Sequence, residues 1–463
     1  MHIHNRFRAF QKIKLALALA LACAGWCASE AASLVRPNIV FLLTDDQRWD
    51  TLGCMGNRII QTPHLDRLAA DGTLFRNAFV TTSICAVSRA SFLSGQYQRR
   101  HKIDDFSKTF SPEAWSQTYP ALLRQHGYRT GFIGKYGVGK EMPEKEFDFW
   151  RGFPGQGQFF EKGETQHLTA KMGDQALEFL KSSSRSQPFC LSISFKAPHA
   201  QDNAPREFPP DPRDEILYAG VTIPPAKTTD EKFYKALPEH AQKSEGRRRW
   251  ERRYANPEMF QKTARDYYRL ISGIDREVGR IRATLNELNL ADNTIIVFSS
   301  DNGFFLGERG MADKWLMYEE SIRVPLIIAD PGVTAKQRGQ TSDAFALNID
   351  IAPTLLDYAG VPVPEAMQGK SLRPFVEGRN MKGWRRDFFY EHTTFSDRIP
   401  PSEGVRTDRW KYIRYIGVEP AIEELYDLKN DPFEERNLIA SKSAQRSLNE
   451  LRGQWSEMRR ELE

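Results

Sequence analysis

Asn38-Ile39-Val40-Phe41-Leu42-Leu43-Thr44 runs without a charge and then breaks into Asp45-Asp46-Gln47. Its apolar centre shows no alternation of wet and dry positions, so it fits a strand covered on both faces. Strands of that kind belong to parallel sheets lying between layers of helix. The chain repeats the device. Residues 128–134 lead into Lys135, 189–195 into Lys196-Ala197-Pro198-His199, 294–298 into Ser299-Ser300-Asp301-Asn302-Gly303, and 324–328 into Ala329-Asp330-Pro331-Gly332. In open sheets of this class ligands bind beyond the carboxyl ends of the strands. The first four runs put carboxylates, a lysine and a histidine there, and a site is expected where those ends meet.

Helical patterns lie between the runs. Ile271, Ile274, Val278, Ile281, Leu285 and Leu288 form an apolar stripe, and residues 63–72 read as a short helix with Leu65, Leu68 and Ala69 inward. Core packing accounts for both. Beyond about residue 365 the texture changes to strand-like segments at 387–390, 403–406 and 410–415, a polar stretch at 424–432 and a charged terminal helix. The expectation is an α/β fold: a large, mostly parallel sheet sandwiched by helices, with a small C-terminal antiparallel sheet plus helix. The divisions expected are a leader at 1–32, a catalytic domain at 33–370 and a C-terminal subdomain at 371–463.

The chain has 463 residues, 40% hydrophobic and 27% charged, enough for a sizeable core. A net charge of +5 is mild at this length and does not mark a nucleic-acid binder. Arg6, Arg8, Lys12 and Lys14 precede an apolar stretch at 15–24, and small residues follow. That order is a secretory signal, too short to span a membrane, and it points to a periplasmic or secreted protein. A lipoprotein anchor at Cys23 is the alternative use of the same segment. Without the leader only Cys54, Cys85 and Cys190 remain, which is not a disulfide framework and leaves at least one thiol unpaired.

Cys85 lies in Ser83-Ile84-Cys85-Ala86-Val87-Ser88-Arg89-Ala90-Ser91-Phe92-Leu93-Ser94-Gly95. The pattern fits a helix opening at a reactive side chain, where backbone amides favour an anion; a structural cysteine is the other reading. Asp45, Asp46, Asp301 and Asn302 are hard oxygen donors at two strand ends, suited to Ca²⁺ or Mg²⁺ and not to zinc, or else helix caps.

The run around Cys85 resembles the sulfatase motif Cys-x-Pro/Ala-Ser-Arg with a downstream glycine, in which the cysteine is oxidised after synthesis to formylglycine. Val87 stands where that family usually carries Pro or Ala. The likeness continues through Thr62-Pro63-His64-Leu65-Asp66, Gly134-Lys135-Tyr136, Ala197-Pro198-His199, Leu306-Gly307-Glu308-Arg309-Gly310, Lys314, residues 319–325, Asp350-Ile351-Ala352-Pro353-Thr354 and Tyr426-Asp427-Leu428. It implies a formylglycine-dependent (type I) sulfatase of the alkaline phosphatase superfamily, similar to arylsulfatases and N-acetylglucosamine-6-sulfatases. It also implies one calcium held by Asp45, Asp46, Asp301 and Asn302 with the modified Cys85 facing it, and a formylglycine-generating maturation enzyme as partner. By the same resemblance the hydrated aldehyde attacks sulfur, the alcohol leaves, and the second hydroxyl releases free sulfate. Arg89 orients the diol, Lys135 and Lys314 neutralise sulfate oxygens, and His199 assists the leaving oxygen.

Many members carry a histidine two residues after the lysine, as base for the release step; here that position is Gly137. Two alternatives stand beside this: a phosphonate or phosphate monoester hydrolase of the same superfamily, which shares the metal carboxylates and can share the formylglycine, and an inactive carbohydrate-binding relative, which Val87 and Gly137 suggest. The substrate class expected is a sulfated glycan. Lys243, Arg247, Arg248, Arg249, Arg252 and Arg253 read either as a solvated helix face or as a rim attracting a sulfated polysaccharide, with Arg323 and Arg398 as further cations that could read anionic groups.

Overall fold

The computed structural model describes residues 36–462. The leader at 1–32 and the Cys23 reading lie outside the described residues. Eight strands form the main sheet: β1 (Asn38–Asp45), β2 (Thr73–Phe75), β3 (Arg129–Lys135), β4 (Phe149–Phe153), β5 (Phe189–Pro198), β6 (Thr294–Ser300), β7 (Leu326–Ala329) and β8 (Gln340–Ser342). Their order is β8-β2-β7-β6-β1-β5-β3-β4. β1 pairs in parallel with both β5 and β6, and β3 in parallel with β5 and β4. β7 runs antiparallel to β6 and β2, which is why the fifth apolar run sends its polar end away from the site.

β1 divides its side chains between two cores. Val40 and Leu42 join one, with Phe179, Ile271, Ile274 and Val278; Ile39, Phe41 and Leu43 join the other, with Phe92, Leu123, Leu355 and Leu356. Burying each Leu or Phe contributes about 1.5–3 kcal/mol. The first core is covered by α3 (Leu168–Lys181) and α5 (Pro257–Glu287), the second by α2 (Cys85–Ser94) and α6 (Ile351–Ala359), with α1 (Pro63–Asp71) at the edge of the first and α4 (Glu245–Arg253) beside the site. The Thr62–Asp66 motif proves to be a helix start. Asp275 of α5 accepts the amides of His64 (3.2 Å) and Leu65 (2.7 Å), capping α1 from outside.

The C-terminal sheet has one strand more than the sequence indicates. β9 (Asp387–His392), β10 (Ser402–Thr407), β11 (Trp410–Tyr415) and β12 (Ile422–Asp427) pair antiparallel in that order, with α7 (Gln445–Glu461) against them. The stretch read as polar is in part strand β12. Its Glu424 is buried and satisfied by hydroxyls of Tyr318 (2.6 Å), Tyr415 (2.7 Å) and Tyr426, so a carboxylate occupies a position where the pattern would call for an apolar residue. Phe388, Phe389, Tyr390 and Ile413 share a core with Phe79, Phe345, Leu347 and Ile349, joining the small sheet to the main body. Among the described residues no helix is long and apolar enough to cross a membrane.

Candidate functional site

The parallel registers Asp45↔Pro198 and Thr44↔Ser300 bring the ends of β1, β5 and β6 level. Asp45, Asp46, His199, Asp301 and Asn302 therefore converge, and Lys135 joins them from the end of β3. α2 opens at Cys85 over the same spot and closes at Gly95, whose left-handed φ of 66° lets its amide bond back to Ser91. Cys85 is 1% exposed, with Sγ 3.4 Å from Asp45 Oδ1. Val87, the departure from the resembled motif, fills the space among Ile84, Trp315 and Ile399 behind the pocket.

The cations are fixed by the carboxylates. Arg89 donates to Asp301 Oδ2 at 2.8 Å, to the Lys135 carbonyl at 2.8 Å and to Ser194, and lies 3.2 Å from Asp45 Oδ2. Lys135 Nζ reaches Asp45 Oδ2, and Gln156 Oε1 at 2.6 Å; Lys314 Nζ reaches Asp46 Oδ1. Burial opposes every one of these charges, yet Lys135, His199 and Arg89 hold Asp45 well below the usual carboxylate range. Asp46 goes the other way, to about 7, because burial and the neighbouring Asp45 and Asp301 outweigh Lys314. Burial pushes the Cys85 thiol well up, with Asp45 adding to the rise. That shift favours the thiol over the thiolate.

His199 donates Nδ1–H to the Ala200 carbonyl at 2.6 Å, which leaves Nε2 facing Asp46 Oδ2 at 3.6 Å. Burial and Lys314 keep its pKa well below the ordinary value, so the ring is neutral. Lys196 is also buried, over the Phe159 ring, and burial with the nearby Lys135 lowers its pKa to about 8.

Asp45, Asp46, Cys85 and His199 each offer an atom within 4.8 Å of the others. Asp46 Oδ2 and Asn302 Oδ1 are buried without a hydrogen-bond donor, while Asn302 Nδ2 donates to Asp46 Oδ1 at 2.5 Å. Asp301 is turned toward Arg89, and its Oδ1 accepts the Asp46 amide at 3.2 Å. Orphaned oxygens amid carboxylates are what a hard divalent cation satisfies, so the donor set fits calcium.

Gly137 has φ 73°, and a Cβ there would stand 2.9 Å from Arg89 Cδ. A histidine at this position conflicts with both the backbone and Arg89 as placed.

A cavity of about 240 Å³ opens above Cys85, lined among others by Gln156, His199, Asp202, Arg249, Lys314 and Arg398. Arg249 and Arg253 turn inward, and each lies 2.9 Å from Asp313 Oδ2 and within 3.2 Å of Asp202. Asp313 and Trp315 take left-handed φ of 66° and 85° on either side of Lys314. The inner part of the basic run is thus neither a solvated face nor an open rim: it locks the backbone that carries Lys314. Lys243 and Arg248 remain exposed, with side chains 72% and 58% accessible. Arg323 is not at the pocket; it lies over Trp49 and donates to the Arg76 carbonyl. Gln156, Asp313 and Trp315 were not legible as site residues, since none sits in a motif or a charge pattern.

The Sulfatase family model matches residues 37–361, and the model for the C-terminal part of N-sulphoglucosamine sulphohydrolase matches 307–461. An N-acetylglucosamine-6-O-sulfatase of Bacteroides thetaiotaomicron is 32% identical, over 90% of this chain and 85% of that protein. Human N-acetylglucosamine-6-sulfatase is 28% identical, over 78% of this chain and 68% of its own. A protein solved with its substrate D-glucosamine-2-N,6-O-disulfate superposes with a TM-score of 0.79 at 30% identity, covering 92% of this chain and 98% of that one. The phosphonate monoester hydrolase of Agrobacterium radiobacter has a TM-score of 0.77 at 22% identity, covering 92% and 96%, a likeness of fold alone.

Proposed function

Because the chain belongs to the sulfatase family of the alkaline phosphatase superfamily and is a sulfuric ester hydrolase, we propose that it removes sulfate from a sulfated sugar at Cys85. The observation that carries the site assignment is Cys85, buried at the floor of a pocket lined by Lys314 and His199, with Arg89 and Lys135 held beside it by Asp45. The resemblance of residues 83–95 to the sulfatase motif supports conversion of this cysteine to formylglycine by a maturation enzyme. Oxidised to formylglycine, residue 85 would supply a hydroxyl nucleophile, and a calcium held by Asp45, Asp46, Asp301 and Asn302 would add positive charge.

The remaining work falls to the chain. A sulfate monoester is an anion and repels nucleophiles, so Lys135 and Lys314 hold its oxygens in a dry pocket where their charge counts most. Arg89, braced by Asp301 and the Lys135 carbonyl, orients residue 85. His199, its tautomer fixed by Ala200, offers Nε2 to the leaving oxygen. The balance is ester plus water to alcohol plus sulfate. The named relatives act on glucosamine sulfates, which supports a hexosamine sulfate as the substrate here. The leader sequence supports action in the periplasm or outside the cell.

The test has two parts. Matured protein should give a residue 83–95 peptide lighter than the thiol form by one sulfur and two hydrogens, less one oxygen, and should hydrolyse members of a panel of defined sulfated saccharides. Full turnover by protein with an unmodified thiol would sink the Cys85 assignment. Faster turnover of an aryl phosphonate than of any sulfate would favour the phosphonate hydrolase reading.

A further inference from the structure

Three cations line the pocket above Cys85: Lys314, Arg249 and Arg398. Two are already engaged by buried carboxylates, Lys314 by Asp46 and Arg249 by Asp313 and Asp202. Arg398 differs. Its ion partner is Asp397 at 3.5 Å, and their side chains are 46% and 75% exposed, so water screens the pair and leaves the guanidinium open to another anion.

The backbone around it is built to present it. Phe395 adopts a left-handed φ of 54°, which a bulky residue holds only under constraint, and yet its ring stays 38% exposed. Burial therefore does not offset the strain. The turn is fastened on three sides. The amides of Arg398 and Ile399 both donate to the Phe395 carbonyl at 2.9 Å, Thr394 Oγ1 donates to the Asp104 carbonyl at 2.5 Å, and the Arg398 carbonyl accepts the Glu245 amide at 3.0 Å. Phe395 stacks on Phe106, with ring centres 5.7 Å apart and planes 15° from parallel, and the Arg398 guanidinium lies 4.7 Å from the Phe395 ring centre.

An open guanidinium lining a small pocket above Cys85 matches a sugar ring that carries an anion: the guanidinium takes a sulfate or carboxylate bidentately, and the part of Phe395 left exposed borders the ring. The 240 Å³ cavity falls below the roughly 300–1,000 Å³ of pockets for drug-sized ligands, which limits it to about one ring. We propose that the Phe395–Arg398 turn is a substrate subsite that reads a second anionic group, sulfate or carboxylate, on the same sugar ring as the scissile sulfate. The inference rests on the carbohydrate reading of the preceding subsection.

Matured wild type, Arg398→Ala, Arg398→Lys and Phe395→Ala are compared by kcat/KM on matched pairs: glucosamine 6-sulfate against glucosamine 2-N,6-O-disulfate, and a hexose 2-sulfate against the corresponding uronate 2-sulfate. Wild type should favour the doubly anionic member of one pair by about 10–100-fold, the range of a charge-assisted hydrogen bond. Which pair shows the preference distinguishes a sulfate from a carboxylate. Arg398→Ala should collapse that ratio toward one, Arg398→Lys should restore part of it, and Phe395→Ala should raise KM for both members. A wild-type ratio near one in both pairs, or a ratio unmoved by Arg398→Ala, overturns the subsite. Loss of all sugar turnover with aryl sulfate hydrolysis intact in wild type would instead remove the carbohydrate reading, and the subsite with it.

Discussion

The carboxyl end of the main sheet buries Asp45, Asp46 and Asp301 against Arg89, Lys135 and Lys314; beside the small sheet, Glu319 and Glu434 are buried against Arg406 and Lys411. Both clusters are dry and nearly balanced in charge. In the second, the ions close on one another: Lys411 Nζ lies 3.0 Å from Glu319 and 2.6 Å from Glu434, whose Oε2 accepts the Glu319 amide. In the first, Asp46 Oδ2 and Asn302 Oδ1 have no donor, and a pocket reaches Cys85. Burying ions is therefore not what marks a site. The first cluster differs in lying beside Cys85 at a pocket that opens to solvent.

The clusters are connected through one segment of chain. Lys314 is five residues before Glu319, with Asp313 gripped by α4 on one side and Tyr318 bonded to Glu424 of β12 on the other. The small sheet thus anchors the chain that carries Lys314.

That contrast can be broken by substitutions. Lys411→Met removes the ion pair of buried Glu434, while Glu319 keeps Arg406, and should cost about 3–5 kcal/mol in urea unfolding, while the protein still folded keeps its kcat nearly unchanged. A comparable loss of kcat would show that the second cluster is not merely scaffold. Lys314→Met should do the reverse, lowering kcat/KM on an aryl sulfate by about 100–1,000-fold, with the circular dichroism of a folded protein. Retained turnover would remove Lys314 from the site.

Lys196 sharpens the comparison, being a buried cation whose ammonium donates to the Ala200 carbonyl at 3.3 Å and meets no carboxylate among the described residues at ion-pair distance. Its pKa falls from 10.5 to about 8 on folding, so the unfolded chain binds more protons between those values and stability rises with pH across that window. Lys196→Met should flatten that rise and add up to about 3 kcal/mol at neutral pH, read from urea midpoints across the window. An unchanged slope would place the charge of Lys196 elsewhere. The smallest effect is expected for Arg249→Met, because Arg253 still holds Asp313 and Asp202. A fall of about tenfold in kcat with KM little moved, part restored by Arg249→Lys, would identify Arg249 as positioning Lys314. A change in stability alone would return it to packing.

By itself, the sequence determined the mostly parallel sheet, because residues 38–44 and 294–298 carry apolar side chains on both faces and residues 189–195 carry no charge, as strands covered on both sides require. It also singled out Asp45, Asp46, Cys85, Arg89, Lys135, His199, Asp301 and Lys314 as candidates, each at a strand end, in a short motif or in a resembled segment. Only the tertiary structure decided what the basic run does. A stretch of arginines reads as solvated until Asp313 and Asp202, distant along the chain, are brought beneath Arg249 and Arg253. The fourth strand of the small sheet was hidden for the same reason, since the hydroxyls of Tyr318 and Tyr415, from other segments, join that of Tyr426 on the same strand to make Glu424 tolerable inside. Apolar periodicity is local and survives in a string of letters. The satisfaction of a buried charge is a relation between remote segments, and it exists only once the chain has folded.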